Sequence, residues 1–368
     1  MIYADYASTT PLDADVKNKI EYCQQFFGNA SSVHAFGRQA KELLENARAD
    51  IANAIGCKKN EIYFTSGGTE ADNWALLGIL KPCDHLVISA IEHHAIMNTA
   101  EYLQSIGVEV TLVLPDEDGV ILPQAIKEAI KPNTRLISVM SVNNETGAIQ
   151  PIEQIAALAD EKGIIFHTDA VQALGKLSFS VKNQKIKLLS ASAHKFFGPK
   201  GVGFLFVDES VKIKSMLLGG SQERDRRAGT SNMPAAVGMA TALKKQINNK
   251  QEYDRQILEA SQIIKKKVLS LDGVKLNSTK NIDSILSFSF LDVNIDSLLV
   301  MLDLDGVACS SGAACSAGSV GDSHVLSAMP KTDFPAKALR VSVSHLTTIE
   351  EANIIGQKIV DAVNKIRK

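Results

Sequence analysis

Several residue groups in this chain have types and spacings that can do chemistry. Residues 309–319 read Cys-Ser-Ser-Gly-Ala-Ala-Cys-Ser-Ala-Gly-Ser. A run of small residues cannot fill a core, so it predicts a loop of the kind that carries function. Cys315, flanked by small residues, is sterically open and is the candidate nucleophilic or sulfur-carrying thiol. Cys309 follows Val307-Ala308 and suits a buried, inert cysteine better. A metal site is not expected, because these two cysteines with only His324 nearby do not complete a tetrahedral set. Lys195 lies between an apolar run and the pair Phe196-Phe197. Partial desolvation there lowers a lysine pKa and frees the amine for Schiff-base chemistry. The competing reading is a lysine that snorkels to solvent.

Polar residues follow other apolar runs in the same way. Ser66-Gly67-Gly68-Thr69 leads from Ile62–Thr65 into a helical stretch. Free N–H groups at a helix start favour an anion such as phosphate, although a plain strand–turn–helix joint has the same look. Asn143-Asn144 before Glu145-Thr146-Gly147 reads as a turn or as a pair of ligands. Asp169 ends another run, with Gln172 three residues on; it either caps a helix or meets a cationic ring nitrogen. Arg340, inside the apolar run 338–343, needs an anion, either a structural carboxylate or that of a substrate. Together, an anion cradle, an acid, an Asn and a lysine on one sheet edge are the parts that hold pyridoxal phosphate.

The elements that must position these residues are legible as alternation. Apolar runs at 62–65, 85–90, 108–113, 135–142, 163–168, 187–192 and 203–207 are separated in several places by amphipathic stretches such as 93–106, 123–131 and 151–162. Such βαβ units predict an α/β fold with a mostly parallel seven-stranded sheet, helices on both faces, and ligands at the carboxyl ends of the strands. A helical stretch at 233–270, strands at 284–290 and 338–343, and helices at 295–303 and 349–367 predict a smaller α+β C-terminal domain. The expected division is a large domain over 15–255 and a small domain made of 1–14 and 256–368, which carries the cysteine loop, about 309–329. The N-terminal segment is expected to pack with one part or the other.

Composition excludes several function classes. The chain has 368 residues, 45% hydrophobic and 22% charged, which are globular values. Lys+Arg at 39 against Asp+Glu at 41 leaves a net charge of −2, which argues against a nucleic-acid or anionic-membrane binder. The start, Met1 to Val16, has neither a basic n-region nor an apolar h-region, and no long apolar run follows, so neither a leader nor a membrane span is expected. Five cysteines at irregular spacing suit a reducing, cytoplasmic setting better than a disulfide framework. Cys23, Cys57 and Cys83 read as structural.

Over nearly its whole length the sequence resembles cysteine desulfurases, pyridoxal-phosphate enzymes of the class V aminotransferase group. The resemblance rests on Tyr3–Pro11, Phe27–Ser32, Phe64–Asn73, Glu92-His93, Val142–Gly147, His167–Gln172, Ser192–Lys195, Arg227–Thr230 and the Cys315 loop. It implies the fold type I architecture of pyridoxal-phosphate-dependent transferases. It implies that Lys195 binds the cofactor aldehyde, that Asp169 keeps the ring nitrogen protonated and that Gln172 bonds the ring hydroxyl. His93 would stack on the ring and move protons. Gly68, Thr69, Ser192 and His194 would hold the phosphate, and Thr230 would reach that of a neighbouring subunit, hence a homodimer. Asn144 and Arg340 would bind the α-carboxylate of L-cysteine, and Cys315 would take the sulfur as a persulfide, leaving L-alanine. The implied partner is a sulfur acceptor such as an iron–sulfur scaffold or a tRNA-thiolation enzyme.

The chain departs from the commoner pattern at Ala193, at Gly312-Ala313-Ala314-Cys315 and at Val341–His345, and Cys309 is an additional thiol. None of these removes a catalytic group. The rival readings are a selenocysteine lyase, another class V aminotransferase and a scaffold without catalysis. Cys315 separates the desulfurase from the first two, and the intact set Lys195, Asp169, His93 and Cys315 argues against the third.

Overall fold

The computed structural model describes residues 1–312 and 322–368. After a short β1 (Ile2–Tyr3), the chain builds β2 (Ile62–Thr65), β3 (His85–Ser89), β4 (Glu109–Val113), β5 (Thr134–Ser138), β6 (Ile165–Asp169), β7 (Leu188–Ser192) and β8 (Gly203–Val207). These form one seven-stranded sheet in the order β2-β8-β7-β6-β5-β3-β4. It is parallel throughout β3 to β7, and only β8 runs antiparallel to its neighbours β7 and β2. The mostly parallel sheet expected from the alternation is therefore present. Strands β2, β3, β7 and β8 are buried along their length because helices cover the faces of the sheet. The helix His94–Ser105, for example, turns Ala95, Ile96, Thr99, Ala100 and Leu103 inward.

A second, antiparallel sheet follows: β9 (Val274–Leu276), β10 (Ile285–Phe290), β12 (Ser310–Ser311) and β13 (Leu339–Ser342), in the order β12-β13-β10-β9, with β11 (Val307–Ala308) pairing β1. Its core gathers Phe288, Phe290, Leu298, Val341, Ile355 and Ile359, separate from the cores of the large sheet. The N-terminal segment joins both regions rather than choosing one. Asp5 bridges Ser342, while Thr10 N–H donates to His194 O at 2.9 Å.

Three local expectations change. The stretch 233–270 is two helices, Met233–Asn248 and Lys250–Val268. They break at Asn249, whose Nδ2 donates to Lys245 O at 2.9 Å, a side-chain bond that competes with continued helix. The first helix buries Met239 and Leu243 in one core, the second buries Ala260 and Ile264 in the other, so the break is where the chain changes core. The strand read over 135–142 ends at Ser138, and Met140 and Val142 continue irregularly toward the site. Residues 14–55, to which the sequence reading assigns no element, form helices Ala14–Cys23 and Ala35–Ile55, capped by the side chains of Asp13 and His34. Among the described residues no helix is long and apolar enough to cross a membrane.

Candidate active site

The ends of β2, β3, β5, β6 and β7 open into a cavity of about 250 Å³, to which the second sheet contributes Arg340. The helix Gly68–Leu77 starts directly after the β2 turn, with Gly67 as its cap. A Cβ on Gly68 would lie 2.7 Å from Val171 Cγ2, so only glycine brings this backbone against the cavity wall. The first-turn N–H groups of a helix lack intrahelical partners and suit an anion. Thr69, Ser192 and His194 line this cavity together with Gly68. Glu70 sits in this first turn without spoiling it. Its Oε2 accepts Ser66 N–H at 2.7 Å, and Arg227 grips it through Nε at 2.8 Å and Nη2 at 3.0 Å. Burial works to raise the Glu70 pKa, but Arg227 and Ser66 outweigh it and hold it below the usual range.

His93 caps the helix His94–Ser105, its Nδ1 accepting Ala95 N–H at 3.1 Å. Burial, and then the charge of Lys195, push its pKa down to about 4, so the ring is neutral near pH 7 and carries its proton on Nε2. No helix follows Asp169, so it is not a helix cap. Its Oδ1 instead accepts Val171 N–H at 2.8 Å within a tight turn. Burial pushes this carboxyl up to about 6, against the pull of Val171 N–H and Lys195. On that turn Gln172 Nε2 donates to Ala7 O at 2.8 Å, and its Oε1 accepts Lys176 Nζ at 3.2 Å.

Lys195 does not snorkel. It is half-buried, and Nζ donates to Ala7 O at 2.6 Å and Ser8 O at 2.8 Å. His194 Nδ1 lies 3.1 Å from Thr9 Oγ1, and burial followed by the charge of Lys195 pushes its pKa down to about 4. Arg340 is buried. Nη2 donates to Asp5 Oδ1 at 2.9 Å and Ser8 Oγ at 2.6 Å, Nη1 donates to Asn144 O at 2.9 Å, and among the described residues Nε has no partner. The ion-pair reading of Arg340 is thus realised with Asp5, in a position that also lines the cavity. Asn143 is a turn residue, its Oδ1 accepting the N–H groups of Glu145 and Thr146, while Asn144 lines the cavity.

The cavity brings together Gly68, Thr69, His93, Asn144, Asp169, Gln172, Ser192, His194, Lys195 and Arg340. Thr230 is exposed and does not line it, and Cys315 lies outside the described residues. Cys309 is half-buried, and burial pushes its thiol up to about 12, which disfavours the thiolate. Among the described residues no cluster of His, Cys, Asp or Glu is placed to hold a metal ion. Sequence reasoning missed Asp5, Ala7, Ser8, Asp72 and Met140. For Asp72 a signal existed: an acid beside Ala71 and Ala75 on the buried stripe of a helix. For the N-terminal residues none did, since their partners lie far along the chain.

The class V aminotransferase family profile matches residues 2–355. A putative cysteine desulfurase, IscS 1, of Bacillus subtilis (strain 168) is 42% identical over 376 residues, 99% of each chain. A NifS-like protein of known structure superposes with a TM-score of 0.92 at 31% identity, covering 99% of both chains. SspA, solved in complex with cysteine, gives a TM-score of 0.82 at 34% identity over 93% of this chain and 99% of its own. A match of this extent, laid over a cavity built from the expected residues, means that the chain belongs to the class V aminotransferase family, in its cysteine desulfurase group.

Proposed function

We propose that the protein is a pyridoxal-phosphate-dependent cysteine desulfurase that takes sulfur from L-cysteine as a persulfide on Cys315 and releases L-alanine. The observation that carries this reading is one cavity lined by a glycine helix start, a buried acid, an inward lysine and an arginine. The residues fit the cofactor. The Gly68 and Thr69 N–H groups, with Ser192 and His194, would hold its phosphate. Asp169, with Oδ1 tied to Val171, would turn Oδ2 to the ring nitrogen, Gln172 would bond the ring hydroxyl and His93 would stack on the ring. When bound, the cofactor supplies an aldehyde for the substrate amine and an electron-poor ring that weakens the bonds at Cα.

The chain's own groups do the rest. Arg340 and Asn144 would orient the substrate carboxylate, Arg340 through its planar fork. Lys195 Nζ would take and return a proton, and the Nε2–H of His93 would assist. The Cys315 thiolate then attacks the substrate sulfur. The S–S bond forms, the carbon–sulfur bond breaks, and Cβ takes a proton to become the methyl of alanine. Cys309 cannot substitute while its thiol stays protonated.

A homodimer is supported by apolar side chains left in water, Phe27 at 78%, Val33 at 89% and Leu218 at 86% exposure, and by Thr230 lying exposed outside the lining of its own cavity. The division into 15–255 and 1–14 with 256–368 is supported by the separate core of the second sheet. Free thiols at Cys23, Cys57, Cys83 and Cys309 suit a reducing cytoplasm. The chemistry of a persulfide calls for a thiol-bearing acceptor protein, such as an iron–sulfur scaffold or a tRNA-thiolation enzyme. The test is Cys315→Ala. It is expected to keep the yellow cofactor and lose persulfide formation and alanine release from cysteine. Unchanged sulfur release would overturn the role of Cys315, and a protein with no visible band after adding pyridoxal phosphate would overturn the cofactor reading.

A further inference from the structure

The cavity has a second acid that the reaction above does not use. Asp72, on the Gly68–Leu77 helix, lines the cavity yet is only 1% exposed. Among the described residues its Oδ1 has no hydrogen-bond partner. His167 Nε2 is 3.7 Å away, but that nitrogen already lies 3.0 Å from Ser190 Oγ, and Nδ1 lies 2.8 Å from Ser138 Oγ. Both ring nitrogens of this fully buried histidine are therefore occupied by serine hydroxyls. Burial pushes its pKa down to about 3, which leaves the ring neutral and Asp72 without a cation there. Burial disfavours a further negative charge most, Asp169 and then Glu92 add to it, and a hydrogen bond from Ser190 offsets it only in part, so the Asp72 carboxyl is pushed well above its usual range. An ionised carboxylate in that position would be both desolvated and repelled.

We propose that Asp72 keeps its proton in the working enzyme and acts as a positioning residue for Asp169, confining the negative charge of the cavity floor to the one carboxylate that faces the ring nitrogen. A charged pair would divide that negative charge over two sites and draw a cation off the Asp169 axis. A neutral Asp72 fills the space, excludes water and leaves Asp169 as the sole anchor. The part played by Asp169 rests on the function proposed above; the location of the proton on Asp72 does not.

The test is infrared spectroscopy on the full chain, labelled with carbon-13 at the aspartate carboxyl, with and without pyridoxal phosphate. Glu92 then carries no label. Well above the Asp169 midpoint of about 6, a labelled protonated-carboxyl band is expected to remain. It is expected to vanish in Asp72→Asn and to persist in Asp169→Asn. The wild-type band alone reads the protonation, so the test survives a variant that fails to fold. The Asp169 midpoint provides the second readout. Asp72→Asn exchanges one neutral group for another and should leave it within about 0.3 units, whereas removing a true charge would lower it by about a unit. Absence of the labelled band, its persistence in Asp72→Asn, or a midpoint lowered by about a unit would each overturn the proposal. A protein that binds no pyridoxal phosphate would defeat the cofactor reading while the cofactor-free spectrum still decides the state of Asp72.

Discussion

Replacing Arg48 by methionine removes the cation from a pair on which a strained turn depends. Arg48 Nη1 and Nη2 donate to Glu223 Oε2 at 2.6 Å and Oε1 at 2.8 Å, with the side chains 2% and 4% exposed. Glu223 Oε2 also accepts Phe64 N–H at 3.0 Å. Glu223, Arg224 and Asp225 all take the left-handed conformation, φ 45°, 57° and 61°, which costs roughly 1–2 kcal/mol per residue. Without Arg48 the Glu223 carboxylate stays buried with one N–H for company, and losing one partner of a buried pair costs about 3–5 kcal/mol. Relaxation of the left-handed turn would return part of the strain, so the lower end, about 3 kcal/mol, is expected. The turn leads to Arg227, which grips Glu70 beside the anion cradle, and to Thr230. Loss of protection should therefore spread over 222–230. The assay is urea unfolding of Arg48→Met, Glu223→Gln and the double variant, with amide exchange over the turn. The double variant, which leaves no buried charge, should recover more than half of the single-variant loss. A single-variant loss under about 1 kcal/mol, or a double variant with the summed loss of both singles, would refute the reasoning.

Two further outcomes follow from the site. Glu92 is fully buried, and burial pushes its carboxyl up to about 8, above an unfolded value near 4.5. A raised acid stabilises the fold fully below the unfolded value and loses that contribution as pH rises through 8, so this group should cost a few kcal/mol between pH 5 and pH 9. Glu92→Gln is expected to flatten that slope in unfolding curves, and an unchanged slope would count against a buried, neutral Glu92. Gly68→Ala places a methyl 2.7 Å from Val171 Cγ2 and should weaken pyridoxal phosphate binding by at least about tenfold in a titration of the visible band, with the fold retained. Wild-type affinity in that variant would remove this helix start from the phosphate site.

Much of the architecture was legible because it is local. The runs Ile62–Thr65 and Gly203–Val207 are strands with the bounds their apolar pattern predicts, since buried strands of an α/β sheet must be apolar on both faces. Strand ends then pointed to Gly68, Asp169 and Lys195 by a general rule of such sheets. The break at Asn249 was not legible, because the same helical period runs through both helices and only their different cores separate them.

By itself, then, the sequence determined the parallel sheet and the strand-end residues that line the cavity, both through short-range pattern. The tertiary structure decided the long-range pairings: Lys195 on the carbonyls of Ala7 and Ser8, Arg340 on Asp5, Arg48 on Glu223, and Asp72 beside His167. A carboxylate or a carbonyl looks the same in sequence whether its partner is water or an arginine 335 residues away. Only folding brings the partners together, excludes the water and so sets which groups carry charge.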